Sequence, residues 1–231
     1  MGFTSELQIA RDEIMKFYED VIEKFPDAAN PEAKLAIETE LPEAIDFIRS
    51  STAKMDRLIN AILRLSREGG RVLTPEPVNL KTLVETTAQT LSHQVMEADA
   101  EFVIEDLPEV VSDRLALEQV FTNLMENAVK YLAPGRPGRI RIRGWKEGST
   151  VFVDVEDNGR GIDPKDHGRV FDLFRRAGAQ DRPGEGIGLA HVRALMRRLG
   201  GTITLNSVPG EGSTFRVSLP SVRTEHTEGS A

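Results

Sequence analysis

The sequence predicts an α+β protein in which an N-terminal antiparallel helical hairpin is followed by an α/β sandwich. A change of pattern near residue 75 leads to this class. Before it, apolar residues recur in steps of three and four without strand-like alternation, which is the spacing of one helix face. After it, helical stretches alternate with stretches of period two. Strands that pair by hairpins, with helices between them, form a mixed sheet that is covered by helices on one face.

The hairpin is predicted from two amphipathic stretches. The first spans residues 3–25 and ends where Phe25-Pro26 and Asn30-Pro31 interrupt it, because proline removes a backbone donor and restricts the residue before it. The second has heptad spacing, which lays a seam along a partner helix. Its stripe consists of Leu41, Ile45, Ile48, Thr52, Met55, Ile59 and Ile62. Since a lone hairpin cannot bury both stripes, a four-helix bundle made by two chains is favoured over packing against the rest of the same chain.

The elements of the sandwich come after an extended linker at residues 74–77. Ser112 or Asp113 is expected to cap the central helix, and Gly200-Gly201 ends the last helix. The predicted helices are 80–96, 112–131 and 187–199, and the predicted strands are 101–105, 139–145, 150–156, 202–206 and 214–219. We therefore predict a hairpin domain at 1–72, a sandwich domain at 73–220 and a disordered tail at 221–231.

The composition restricts the function. Lys and Arg number 29 against 37 Asp and Glu, which gives a net charge of −8. That balance argues against sequence-blind nucleic-acid binding, which needs basic patches. Cysteine is absent, so disulfides, a thiolate nucleophile and a zinc ribbon are excluded. No apolar run approaches the roughly 20 residues of a membrane span, and no signal peptide opens the sequence. We expect a cytoplasmic protein without a membrane segment.

Three glycine-rich segments suggest a phosphate-bearing ligand. They are Asp157–Gly161 after a strand, Gly184–Leu189 at the start of a helix, and Gly210–Thr214 before a strand. Glycine that leads into a helix directs free N–H groups toward an anion, although such a loop is more often a simple turn. The second segment lacks the Gly-Lys-Ser/Thr of a Walker loop and is a poor match to the Rossmann motif.

The helix before these segments carries a polar stripe. Asn123, Glu126, Asn127 and Lys130 share one face. On its own this stripe indicates a solvated surface, but asparagine is a mediocre helix former, so two in one stripe need a reason. Together with the glycine segments, the stripe predicts a site for Mg²⁺ and phosphates, since Mg²⁺ takes oxygen ligands and few protein side chains.

In their order and spacing, these segments resemble the nucleotide-binding boxes of sensor histidine kinases. The resemblance covers residues 78–220, and residues 49–67 resemble the second helix of that family's dimerisation hairpin. It implies a Bergerat-type sandwich that binds ATP and Mg²⁺. It also implies a homodimer through the hairpin and a response-regulator receiver domain as partner. The matching boxes are NLMENAVKY (123–131), DNGRGI (157–162), VFDLFRR (170–176), GEGIGLAHV (184–192) and GEGSTF (210–215).

The resemblance assigns roles residue by residue. At the metal and phosphates, Asn127 would coordinate Mg²⁺ with support from Asn123, Lys130 would pair with phosphates, and Arg175 or Arg176 would reach the γ-phosphate. At the base, Asp157 would accept the adenine amino hydrogen. Around the base, packing, turning or edge contacts are implied for Tyr131, Gly159, Gly161, Ile162, Leu189, and Ser213 or Thr214. A lid over about 172–185 would be anchored by Phe171 and Phe174 and hinged at Gly184, Gly186 and Gly188.

Two features of the family are absent. None of the histidines at 93, 167, 191 and 226 has the acidic and proline neighbours of the phosphoacceptor box. The opening residues resemble the segment that comes directly after that box in the family, which favours a fragment of a longer kinase over a chain that acts without its own histidine. Asn123 also occupies the position where related ATPases carry a water-activating glutamate, and an amide is not a base.

The main hypothesis is therefore a histidine kinase core that cannot label itself. The alternatives are an ATP-binding dimerisation or scaffold module without kinase activity, an ATP hydrolase, and a Bergerat-fold protein kinase acting on a partner.

Overall fold

The computed structural model of the chain describes residues 3–69, 71–175 and 186–221. The chain divides into two compact units at residue 70. No helix within these described ranges has both the length and the hydropathy needed to cross a bilayer.

The N-terminal unit is helical, as predicted. Helix α1 (Phe3–Lys24) and helix α3 (Leu41–Gly69) pack against each other. The connection holds a 3₁₀ turn at Pro26–Ala28, helix α2 (Pro31–Leu35) and a π-helical turn at Ala36–Glu40 that leads into α3. Asn30 caps α2, because its side chain accepts hydrogen bonds from the Glu32 and Ala33 amides at 2.9 and 3.2 Å.

The C-terminal unit contains a five-stranded sheet, with a pair of short strands beside it. The elements are β1 (Pro75–Asn79), α4 (Leu80–Thr90), α5 (Ser92–Glu97), β2 (Ala100–Ile104), β3 (Glu109–Asp113), α6 (Arg114–Lys130), β4 (Gly138–Glu147), β5 (Thr150–Asp157), a 3₁₀ turn (Pro164–Asp166), α7 (Gly188–Arg198), β6 (Thr202–Val208) and β7 (Gly212–Pro220). The order of the large sheet is β2-β4-β5-β7-β6, and only the β2–β4 pair is parallel. Strands β1 and β3 form the antiparallel pair.

One face of the large sheet packs against α4, α6 and α7. Alternate residues of β5 and β7 point to this side, and Val153 and Val217 are fully buried there. Helix α6 fills the middle of the layer with Phe121 and Leu124, which are also fully buried. The opposite face is polar, and Asp154 is fully buried there between Arg143 and Arg216. The Asp154 Oδ2 lies 3.0 Å from the Arg143 Nη2, and the Asp154 Oδ1 lies 2.7 Å from the Arg216 Nε. The α/β sandwich predicted from the sequence is confirmed.

Two local predictions were wrong. The segment predicted as an extended linker at 74–77 lies mostly in β1, which pairs with β3 in the register Pro75↔Asp113. β1 contains two prolines, which are tolerated because it has a partner on one side only. The helix predicted at 80–96 is interrupted at Leu91, whose N–H bonds to the Ala88 carbonyl at 3.1 Å. This tight turn keeps the Leu91 side chain buried in the core.

Candidate functional site

Helix α6 is held at its first turn by Asp113. One carboxylate oxygen accepts a hydrogen bond from the Ala116 amide at 2.9 Å, and the other accepts one from the Thr74 amide at 2.8 Å. Arg71 forms a salt bridge with the same buried carboxylate. The start of the helix is therefore fixed, and its buried apolar side determines which way the opposite, polar side faces.

The polar side of α6 presents Asn123 and Asn127 to the start of α7. The Asn123 Nδ2 donates to the Gln119 carbonyl at 2.8 Å, so its Oδ1 points away from the helix backbone. A Cβ on Gly188 would lie 2.8 Å from that oxygen and 3.8 Å from the Asn127 Nδ2. Gly188 is the first residue of α7, and a side chain there would fill the space beside the amides. The first turn of a helix also leaves N–H groups free for an anion.

Asp157 ends β5 as a buried carboxylate. Burial raises its pKa to about 6, and a repulsive contribution from Glu156 acts in the same direction. Hydrogen bonds from the backbone N–H groups of Gly159 and Ser213, together with the charge of Arg136, lower the pKa but do not offset the burial. The Gly159 N–H lies 2.8 Å from the Asp157 Oδ1. The carboxylate is thus desolvated and held in place by backbone donors.

The loop after β5 runs close to the end of α6 and to β6. Gly159 lies against the Tyr131 carbonyl, and a Cβ there would be only 2.4 Å from that oxygen. Gly161 has φ +69°, and a Cβ would lie 2.0 Å from the Val208 carbonyl, so glycine is required for both its conformation and its clearance. The Arg160 N–H donates to the Tyr131 carbonyl at 3.0 Å. These contacts place the Asp157 loop beside the end of the asparagine-bearing helix.

Ser207 joins this loop to the β6–β7 turn. Its hydroxyl donates to the Gly212 carbonyl and accepts from the Ile162 N–H, both at 2.8 Å. Since that uses the only hydroxyl hydrogen of Ser207, the Ser213 hydroxyl is the donor in the 3.0 Å contact between the two serines. Ser213 can then offer only lone pairs to a ligand. Thr214 lies on the opposite face of β7, because neighbouring strand residues alternate sides.

The side chains of Lys130 and Arg160 both lie over the aromatic ring of Tyr131. The Lys130 Nζ lies 5.1 Å and the Arg160 Cζ 4.6 Å from the ring centroid, within the range of cation–π attraction. Both positive charges therefore lie at the end of α6, next to the Asp157 loop.

The two ends of the predicted lid lie together. The Phe174 N–H, on a residue with φ +63°, donates to the Gly186 carbonyl at 2.8 Å. Phe171 is buried and meets Phe215 edge-on at 6.4 Å, whereas Phe174 and Arg175 are exposed. Ile162 and Leu189 are partly buried against the core. The predicted site residues Arg176 and Gly184 lie outside the described residues.

Three residues that sequence reasoning missed contact the site: Ser207, Arg160 and Arg136. The Arg136 Nη2 reaches carbonyl oxygens on both loops beside Asp157. Its sequence context, an arginine between two turn-forming Pro and Gly pairs, gives no signal for such contacts. Asn158 is structural, since its amide accepts from the Arg139 N–H at 2.7 Å and donates to the Pro137 carbonyl at 3.0 Å.

The C-terminal unit thus combines two asparagines on one helix, a helix that begins at glycine, and a buried aspartate. Its sequence and fold are similar to those of known proteins. Residues 112–223 match the family described as histidine kinase-, DNA gyrase B-, and HSP90-like ATPase. The C-terminal unit belongs to this family. The resemblance to sensor histidine kinases is confirmed, because similar curated proteins and solved structures are named as histidine kinases or sensor proteins.

Among curated relatives, the phytochrome-like protein Cph1 of Synechocystis sp. is 32% identical over 186 residues, which are 80% of this chain and 25% of that protein. The methanogenesis regulatory histidine kinase FilI of Methanothrix harundinacea is 34% identical over 176 residues, 75% of this chain and 20% of that protein. The sensor protein KdpD of Escherichia coli is 36% identical over 176 residues, with the same 75% and 20% coverage. The chain thus spans only a fifth to a quarter of these relatives.

Solved structures with a similar fold also include histidine kinases. The mycobacterial sensor histidine kinase MprB matches with a TM-score of 0.58 and 26% identity, over 64% of this chain and 100% of that one. Full-length ShkA in complex with AMPPNP matches with a TM-score of 0.62 and 25% identity, over 94% of this chain and 45% of that one. The second match includes the helical N-terminal unit as well as the C-terminal unit.

Proposed function

We propose that this chain is the catalytic core of a two-component sensor histidine kinase. It would bind MgATP and transfer the γ-phosphoryl group to a histidine outside this sequence, for relay to a response-regulator receiver domain. The observation that carries the proposal is the placement of Asn123 and Asn127 against the glycine start of α7, beside the loop of the buried Asp157.

The donor chemistry of α6 fits a magnesium ion. The amide oxygen of Asn123 is turned away from its own helix, because its nitrogen is bonded to Gln119. Neutral amide oxygens suit Mg²⁺ when phosphates supply the remaining ligands. Asn127 would coordinate the ion and Asn123 would support it. When bound, Mg²⁺ neutralises phosphate charge during transfer.

Asp157 fits the recognition of an adenine amino group. Its carboxylate is shielded from water, and each backbone donor bound to it fixes its orientation. A carboxylate accepts hydrogen bonds only, so an amino hydrogen is favoured over the carbonyl oxygen that guanine carries at the same position. Ser213, restricted to accepting, is compatible with the same edge of the base.

Transfer is favoured over hydrolysis by the chemistry of α6. Neither Asn123 nor Asn127 can take a proton from water, and Glu126 is exposed to solvent. Lys130 and Arg175 are the proposed cationic contacts to the phosphates, with Arg176 as the second candidate in the lid. In-line transfer then depends on positioning and on positive charge.

Nucleotide binding is tested by titration calorimetry with MgATP. We expect heat with the unaltered protein, and Asn127→Ala should weaken the affinity by at least about tenfold, because a charge-assisted contact to the metal is lost. Glu118→Ala, at an exposed position of the same helix outside the polar stripe, is the matched control and should bind as the unaltered protein does. A folded, unaltered protein that gives no heat would overturn the proposal.

Transfer is tested with γ-labelled ATP. Alone, the chain should acquire no acid-labile phosphate, whereas a separate dimerisation fragment that carries the phosphoacceptor histidine should become labelled. Binding without any transfer would support the scaffold alternative. Steady release of phosphate would support an ATP hydrolase, and acid-stable label on a partner would support a different kind of protein kinase.

A further inference from the structure

Arg136 lies in the connection between α6 and β4 and reaches two loops at once. Its Nη2 lies 2.5 and 3.0 Å from the carbonyl oxygens of Asn158 and Gly159, in the loop after β5. The same nitrogen lies 2.8 and 3.5 Å from the carbonyl oxygens of Gly210 and Glu211, in the β6–β7 turn. One guanidinium group therefore contacts backbone carbonyl oxygens, the negative ends of the peptide dipoles, from both loops.

Both loops lie next to residues whose backbone N–H groups bind the Asp157 carboxylate. Gly159, in the first loop, donates its N–H to the Asp157 carboxylate, and Ser213, directly after the second loop, does the same. The Gly210 N–H donates to the Arg160 carbonyl at 2.7 Å and adds a direct link between the loops. Carbonyl oxygens that converge on one point repel one another, so a cation at that point stabilises the arrangement.

We propose that Arg136 is a positioning residue of the adenine subsite. It fixes the distance between the loop of Gly159 and the β6–β7 turn, and so places the backbone N–H groups of Gly159 and Ser213 at Asp157. This inference rests on the proposed function. Arg136 itself need not touch the nucleotide, since its effect is exerted through Gly159 and through the turn that precedes Ser213.

The charge of Arg136 gives the proposal a second readout. The charged groups that act on Asp157 are Glu156, which raises its pKa, and Arg136, which lowers it. Loss of the guanidinium charge should therefore raise the pKa of Asp157 further. A residue that served only to stabilise the fold would weaken binding through misfolding and would leave the titration of the folded fraction unchanged.

The test compares MgATP affinity between pH 5 and pH 8 for Arg136→Ala, Arg136→Lys and the control Arg139→Ala. Arg139 is an exposed arginine of β4 that pairs with Glu101. Each affinity is divided by the affinity of the same protein that also carries Asp157→Asn. This division cancels the pH dependence that comes from the nucleotide phosphates, because both proteins share it. We expect Arg136→Ala to weaken MgATP binding about tenfold, to move the midpoint of this ratio to higher pH, and to recover with added methylguanidinium.

Arg136→Lys keeps the charge but cannot bridge both loops in the same way, so it should lose part of the affinity and keep the midpoint. It also provides the comparison if the alanine variant does not fold. Arg139→Ala should match the unaltered protein in both quantities. If the unaltered protein binds MgATP and both Arg136 variants have the same affinity and the same midpoint as the unaltered protein, this inference alone is overturned. No binding by the unaltered protein would overturn it together with the proposed function.

Discussion

At the residue scale, Asp157 combines two pH effects of opposite sign. Its pKa in the folded protein is about 6, above the ordinary value of 3.8, because burial disfavours the charged form. The protonated form contributes stability that is fully present below the unfolded pKa and is lost as the pH rises through about 6. The proposed recognition of adenine uses the charged form, so it should strengthen over the same range in which the empty site loses stability.

We therefore predict a crossing of two pH profiles. The ratio of MgATP affinities of the unaltered protein and Asp157→Asn should rise about tenfold between pH 5 and pH 7, since a group with a pKa of about 6 ionises in that window. Over the same range, the unfolding free energy of the unaltered protein without nucleotide should fall relative to that of Asp157→Asn. Calorimetry and urea denaturation measure the two quantities, and a flat affinity ratio would contradict the assignment of Asp157 to the base.

Helix spacing and the glycine segments drew attention to Asn123, Asn127 and Asp157, and the resemblance to sensor histidine kinases suggested the roles proposed for them. The sequence could not choose between Ser213 and Thr214. That choice depends on the sheet register, in which Ser213 is the residue paired with Asp157. Nor could it find Arg136, whose partners lie 22 to 75 residues away in the sequence and come together only in the folded domain.

At the element scale, the strongly periodic segments were predicted and the weakly patterned ones were not. α6 and α7 have clear apolar faces, and β4 and β5 alternate over most of their lengths, so each was found within a few residues of its bounds. β1 contains two prolines, and β3 ends at Asp113, which also caps α6. The pairing of β1 with β3 is therefore carried by backbone hydrogen bonds that leave little trace in the side-chain pattern.

The arrangement of elements explains why the glycine segments are spread along the sequence. β5 ends at Asp157, α7 begins at Gly188 and β7 begins at Gly212. Each glycine segment is thus a junction where a regular element begins or ends at the same side of the domain. A close approach of backbone at these junctions requires the absence of a side chain, as at Gly161 and Gly188. The sequence therefore suggested a ligand site through the three segments together and not through any one of them.

At the scale of the whole molecule, several described apolar side chains of the hairpin are exposed. Among the described side chains of the N-terminal unit, Ile45 is the only buried hydrophobic one, at 3% exposure. Phe17, Met55 and Ile59 are 70%, 60% and 52% exposed. Apolar surface of this extent on a helical pair is typical of an interface. The heptad spacing of α3 favours a second copy of the same chain as the occupant, in a four-helix bundle.

We predict that the protein is a homodimer with twice the 25.6 kDa mass of one chain. Replacing Met55 and Ile59 together by Asp should dissociate it, because charged side chains would have to be buried in the seam. Ser50→Asp, an exposed position on the other side of α3, should leave the dimer intact. Sedimentation equilibrium measures the masses. MgATP affinity should be retained in the dissociated double variant, since all residues of the proposed nucleotide site belong to the C-terminal unit. A monomeric unaltered protein, or a control that dissociates as readily as the double variant, would contradict the dimer.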